Sequence, residues 1–372
     1  MDSTNLVEKH FRAEAAFPLP SKLHVRAFLL VLLSFSSVSA RPANVPMACW
    51  ADEILRRQGS DGAIVLKETA SAHNRVVPYF ANLAAIGLVS AYQATGQDRY
   101  LVAARHWSDW YAAHMNRDGT VYDYSGSTGT WHSDGSYDST DSYAATWLEL
   151  LDLVGVQNKA WASVHYAAAA RAVAAIRLTL QPDGLTLAKP GWPVAYTMDN
   201  VETARGLRAA ARLAAWTGHR NDAAPWTAMA ARMEAAIDSN LWDHTQMNYC
   251  VGIQADGGRI EAHDKWYPDL MANLMAIGWQ RASDRNRSLY QHLAATRSAT
   301  IPAKANTEEN IEHLVWWGFA AVAAGDSPRL KAIQTALMAM DPKAIPITNT
   351  ALLGQVCRLL ALNPGSASAP EE

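Results

Sequence analysis

The sequence is poor in the features that announce most kinds of chemistry. Its three cysteines, Cys49, Cys250 and Cys357, show no C-x-x-C spacing, which excludes a thiolate zinc site and a thioredoxin-type redox pair. In an oxidising compartment Cys49 and Cys357 would be the pair to close, tying the first helix of the domain to the last; the alternative is three unpaired, mostly buried thiols. His73, His132, His263 and His313 share no H-E-x-x-H or comparable spacing, so neither a dedicated metal site nor a cofactor is expected. No G-x-S-x-G elbow or phosphate-cradling glycine loop is present, which sets aside serine hydrolases and nucleotide enzymes. A net charge of -3, spread without a basic run, argues against nucleic acid as a partner. Strand signals are nearly absent.

Long hydrophobic runs are also missing, with one short exception near the start. Lys22, His24 and Arg26 precede an apolar run from Ala27 to Val38, and Val38-Ser39-Ala40 has the small-residue spacing of a signal-peptidase site. The run is shorter than the ~20 apolar residues that a membrane-spanning helix needs. A signal peptide over 1–40, cut after Ala40, is therefore expected, with a secreted or periplasmic mature protein and no stable membrane anchor.

What the chain does have is helical periodicity. With 372 residues, 49% of them hydrophobic, it can bury a sizeable core without staples. Apolar spacing predicts twelve helices within one domain over 41–362: 47–58, 77–95, 97–115, 138–154, 159–180, 199–216, 221–238, 266–281, 284–297, 306–324, 328–340 and 347–362. The small, polar, acidic tail over 363–372 reads as disordered. Long loops lead from each odd helix to the next even one, whereas even helices pass on through short turns such as Thr95-Gly96-Gln97-Asp98. Hairpins laid side by side then put every long loop on one face. An all-α double ring, the (α/α)6 toroid, meets this pattern best, and an open solenoid of helical hairpins is the alternative. Alanine-rich stretches such as 167–170 let the two layers approach closely.

The stretch from Asp183 to Leu207 carries the strongest hint of chemistry. Pro190 and Pro193 disfavour a helix, so Lys189, Trp192 and Tyr196 should stand on a stiff loop that feeds a helix N-terminus. There Asp199 is placed to cap, with Glu202 three residues on, as in a capping box.

These strings, D-S-T-D-S-Y-A-A-T-W-L-E-L-L from Asp138 and G-L-T-L-A-K-P-G-W-P-V-A-Y-T-M-D-N-V-E from Gly184, together with the six hairpins and their aromatic-rich loops, resemble the six-hairpin glycosidase superfamily. The resemblance spans Cys49 to Leu362 and implies a toroid with a carbohydrate-binding cleft at the N-terminal ends of its inner helices. No adjacent aspartate pair of the endo-mannanase type is present, so acid and base have to be argued locally. Hydrolysis of a glycosidic bond needs one carboxyl group to protonate the leaving oxygen and another to activate water or attack the sugar. Asp138 with Asp141, and Asp199 with Glu202, are pairs three apart on a helix face. One member of each, across the cleft, suits an inverting mechanism with carboxyls roughly 6.5–9.5 Å apart. Glu202 or Asp199 is then the acid and Asp141 the base, with Asp269 in reserve; simple helix capping remains the other reading of both pairs. Arg75, Tyr79 and Asn200 at the helix starts, and the loop aromatics Tyr124, Trp131, Trp192, Tyr196, Trp266 and Tyr267, are candidate sugar contacts. Lys189, Arg75 and Lys265 are candidates to meet an acidic sugar, and the alternative is that they are solvated or paired with the cleft acids. Mid-helix Trp107, Trp110 and Trp147 read as core. Two other functions stay open: a polysaccharide lyase using Tyr196 or His132 as base on a uronate, and a non-catalytic carbohydrate-binding protein.

Overall fold

The computed structural model describes residues 45–67 and 74–363. The signal peptide with its cut after Ala40, His73 and the tail beyond Asn363 lie outside the described residues. Thirteen α-helices are found among them: α1 (Val45–Arg56), α2 (Pro78–Thr95), α3 (Asp98–Ala113), α4 (Thr140–Gln157), α5 (Lys159–Val164), α6 (Tyr166–Thr179), α7 (Thr197–Trp216), α8 (Arg220–Ala236), α9 (Met271–Trp279), α10 (Asp284–Thr296), α11 (Glu308–Ala324), α12 (Ser327–Met338) and α13 (Thr350–Ala361). The count exceeds twelve because the helix expected over 159–180 breaks at His165. There the backbone N–H of His165 bonds back to Ala162 and a new helix begins one residue later.

Local chemistry sets where the rods begin and end. Pro78 sits in the first turn of α2, where its missing N–H costs nothing, and Gly96 ends that helix in the left-handed conformation at φ 71° while its N–H bonds to Tyr92 O. Ser139, not Asp138, caps α4: its hydroxyl accepts from Ser142 N at 3.1 Å. The helix after the proline-rich loop starts at Thr197 rather than Asp199, so the expected capping box does not form.

The inner helices form a closed ring, since α2 packs on α4, α4 on α7, α7 on α9, α9 on α11, α11 on α13 and α13 back on α2. The outer helices pack against them, with α3, for example, touching both α2 and α4. This is the (α/α)6 toroid, and closure rules out the open solenoid. Trp50, Trp107, Trp147 and Trp317 are fully buried in its core. Every long loop falls at the N-terminal ends of the inner helices, and these loops carry short strands that the sequence pattern did not reveal. One antiparallel sheet joins β1 (Asn74–Val76), β2 (Tyr124–Ser127) and β3 (Thr130–Ser133). A second joins β4 (Val194–Tyr196), β7 (Gly252–Gln254) and β8 (Arg259–Ile260), and β5 (Trp242–Asp243) pairs with β6 (Asn248–Tyr249). At two to four residues each, they are too short for alternation to register.

The three thiols are unpaired: Cys49 is exposed whereas Cys250 and Cys357 are buried, so the expected Cys49–Cys357 bridge is not made. No described helix is long and apolar enough to cross a membrane.

Candidate active site

The N-terminal ends of α4 and α7 bring a group of carboxyls to the mouth of the ring, and that of α2 brings the Tyr79 phenol. Asp141 is fully buried, and its oxygens accept from the Ser139 hydroxyl at 2.6 Å, Ser142 N at 2.9 Å and the Thr186 hydroxyl at 2.6 Å. Burial raises its pKa to about 6 against the pull of those three donors. Glu202, also buried, accepts from the Tyr79 hydroxyl at 2.7 Å, with the Ser142 hydroxyl beside it. Burial carries its pKa to about 8, opposed chiefly by the Tyr79 bond. Asp199 is half-buried, and burial followed by the charges of Asp141, Glu202 and Asp138 lifts it well above the usual carboxylate range. Asp138 stands exposed just before α4, close enough for its charge to act on Asp199. The cluster thus holds protonated and ionised carboxyls together at neutral pH, which is what acid–base chemistry requires.

This geometry redistributes the roles expected from the sequence. Asp141, the expected base, takes three protein donors on its two oxygens and has no exposed surface; it pins the loop before α7 onto α4. Asp138 is the open carboxyl on that side. On α7 the open member is Asp199, with Glu202 one turn deeper. Asp269, held in reserve, is buried and accepts from His263 N and Lys265 N at 3.0 and 3.1 Å, which ties down the loop before α9 and leaves it a structural acceptor.

Two aromatic walls flank the acids. Trp192 is 48% exposed and donates its indole N–H to the Tyr196 hydroxyl at 3.2 Å. Tyr267 is 63% exposed, and its hydroxyl titrates high because of desolvation and then the charges of Asp199, Asp138, Tyr196 and Glu312, which places it beside the acids. Trp266 donates to Glu312 Oε2 at 2.9 Å and lies against His313, centroids 3.6 Å apart and planes tilted by 32°. Glu312 was missed in the sequence; its signal was its place one turn into α11 after Glu308 and Glu309. Next to it, a cavity of about 660 Å³ runs between the starts of α11 and α13, lined by Asn306, Glu308, Glu309, Glu312, Asn349 and Leu352 among others. Glu308 accepts there from Thr348 N and Asn349 N.

Other expected sugar contacts are occupied by the fold itself. Asn200 is fully buried: its Oδ1 accepts from Thr186 N at 2.7 Å, and its Nδ2 donates to Thr186 O and Tyr196 O, so it clamps the loop before α7 to the start of that helix. Tyr124 is buried edge-on against Trp110 and His114. Trp131 donates to Asp61 Oδ2 at 2.8 Å on the edge of the first sheet. Arg75 is paired with Asp123 at 2.8 Å, and Lys189 Nζ donates to Tyr137 O at 3.0 Å. Tyr79 reaches the cluster, but its hydroxyl proton is committed to Glu202.

Deeper in the ring the barrel is plugged. Glu149 Oε1 accepts from Arg205 and Arg358 at 2.5 and 2.6 Å, and Arg358 lies over the Trp279 and Phe319 rings at 5.2 and 5.8 Å. Although burial opposes its ionisation, the two guanidinium groups hold the Glu149 pKa down to about 2.

No protein-family model and no curated protein sequence matches this chain. Solved structures do. The chain is similar to a GH63 mannosylglycerate hydrolase from Thermus thermophilus in complex with glucose, at 12% identity and a TM-score of 0.61, over 86% of this chain and 99% of that one. It is similar to a rhamnosidase from Klebsiella oxytoca with rhamnose bound, at 14% identity and TM-score 0.56, over 87% of this chain and 64% of that one. A D-mannose isomerase also matches, at 10% identity and TM-score 0.58, over 88% of this chain and 98% of that one. The fold shared with these structures is the (α/α)6 toroid. At these identities the likeness is one of fold.

Proposed function

We propose that this protein is a glycoside hydrolase acting on a poly- or oligosaccharide, with α7 supplying the general acid and the start of α4 the general base. One arrangement carries the reading: Asp199, whose burial and neighbouring carboxyls favour its protonated form, shares the mouth of the toroid with the open carboxyl Asp138 and the exposed rings of Trp192 and Tyr267. Asp199 protonates the departing glycosidic oxygen. Asp138 draws a proton from water on the opposite face of the sugar, and the anomeric centre inverts. The rings offer flat apolar surface to the carbon faces of a pyranose. Export to the periplasm or medium, where polysaccharides are met, is part of the same proposal.

The charges favour hydrolase over lyase. A lyase acting on a uronate needs a cation at the sugar carboxylate; of the three candidates, Arg75 is paired with Asp123, Lys189 is bound to a backbone carbonyl, and only Lys265, exposed on the loop before α9, remains to weigh against Glu308, Glu309 and Glu312 of the adjoining cavity. The deciding experiment incubates the protein with a panel of neutral and acidic saccharides. New reducing ends without an ultraviolet-absorbing unsaturated product support the proposal. Such an unsaturated product would make it a lyase, aldose–ketose conversion of a free sugar an isomerase, and binding without turnover a lectin-like protein.

A further inference from the structure

Tyr79 stands in the first turn of α2 and donates its hydroxyl to Glu202 Oε1 at 2.7 Å. Its ring lies against that of Tyr143, centroids 6.0 Å apart and planes 18° from parallel. Tyr143 in turn donates to Asp123 Oδ1 at 3.0 Å, and the other oxygen of Asp123 takes Arg75 at 2.8 Å. A continuous support therefore runs from an exposed guanidinium on β1, through the loop before α4, to a carboxyl sealed beneath the crater. A phenol has one proton to give. With that proton on Glu202, a sugar hydroxyl would have to compete for it.

We propose that Tyr79 is a positioning residue acting through Glu202: it fixes that carboxyl in one orientation and stabilises the carboxylate left there when Glu202 hands its proton to Asp199, which has given its own to the leaving oxygen. The kinetic part of this proposal rests on the glycosidase reading; the coupling between Tyr79 and Glu202 does not. Glu202 is faced by Tyr79 from α2, by Asp141, Ser142 and Glu149 from α4, by Asp199 on its own helix and by Arg358 from α13. Burial and the neighbouring carboxylates favour its protonated form, whereas Tyr79 makes the hydrogen bond that most favours the ionised one. Without that bond Glu202, once it has handed its proton on to Asp199, is left as a buried anion short of one donor.

The test is Tyr79→Phe, which keeps the ring and its packing on Tyr143, with a melting curve to verify the fold. Infrared titration of the carboxyl stretch, assigned by its loss in Glu202→Gln, should show the Glu202 midpoint moving to higher pH by about one pH unit. An unmoved midpoint overturns the proposal. On whichever saccharide of the panel the wild type cleaves, kcat should fall about tenfold or more, KM should stay within about a factor of two, and the alkaline limb of the pH profile should move upward. A raised KM with kcat kept means a sugar contact and overturns the positioning role. A wild type that cleaves nothing overturns the glycosidase reading alone, and the infrared midpoint then decides the role of Tyr79.

Discussion

Gly87 of α2 and Gly354 of α13 meet backbone to backbone: a methyl group built on Gly87 would stand 2.3 Å from Gly354 Cα, and one on Gly354 would stand 2.2 Å from Leu83 O. This contact joins the first inner helix to the last, and so closes the ring. Backbone cannot yield as a side-chain tip can. Gly354→Ala should therefore force the two helices apart and cost about 1–3 kcal/mol or more, as overpacking of a close-packed core does. Chemical denaturation of the variant checks it; a loss within the scatter of surface substitutions would mean that the seam is not a tight one. Gly206 repeats the device between α7 and α4, where an added methyl would lie 2.4 Å from Ala145 Cα.

The two open carboxyls should separate from the sealed one by mutation. Asp199→Asn and Asp138→Asn each remove a group that is at least partly open to the crater, so kcat should drop by roughly 10²–10⁴ with little change in melting temperature. Asp141→Asn should instead unfold the protein at a lower temperature, since an amide N–H replaces one of the two oxygens that accept from three donors, and the Thr186 tether slackens. Parallel kinetics and melting curves on the three variants read this directly. Full activity in Asp138→Asn would return the base to another residue.

Trp192 and Tyr267 are large rings left in water beside the acids, and their exposure predicts binding rather than packing. Trp192→Ala and Tyr267→Ala should raise KM by about fivefold to fiftyfold, equivalent to roughly 1–2 kcal/mol per ring, with kcat and stability nearly unchanged. Unchanged KM in both would remove the aromatic walls from the substrate path.

The ring was legible in the chain because its signals are local and repeated: helical spacing twelve times over, and loops alternating between long and short. Its closest contacts were not, because alanine runs suggested close packing everywhere while the tightest seams rest on single glycines such as Gly87 and Gly354. The site divides the same way. Asp138, Asp141, Asp199, Glu202 and Tyr79 share one region because each lies at an inner-helix start, and helix direction fixes which ends meet. Which of them faces solvent depends on loop residues far away in sequence: Thr186 seals Asp141, Asn200 serves Thr186, and Asp61 claims Trp131. Type and spacing carry no record of such partners. The Asp199–Glu202 spacing, which read as a capping box, is instead a consequence of a helix that starts two residues earlier, at Thr197.

The buried acids also dictate how stability must vary with pH. In the folded chain Glu202 titrates near pH 8 and Asp141 near 6, against ordinary values of 4.5 and 3.8, so between those limits the folded state binds more protons than the unfolded one. Stability then falls as pH rises, by at most about 1.4 kcal/mol per pH unit for each group that remains protonated only when folded. Glu149 works in the opposite sense: its folded pKa of about 2, under the ordinary 4.5, contributes stability above pH 4.5 that is lost as acid drives it toward 2. The melting temperature should thus peak near pH 4.5–5, decline toward pH 8, and collapse in strong acid. Glu202→Gln carries no titrating proton at that position and should flatten the decline between pH 6 and 8 while leaving the acid limb in place. A wild-type melting temperature that climbs from pH 5 to 8 would show that Glu202 is ionised in the folded protein, and would take with it the protonated cluster on which the acid role of α7 depends.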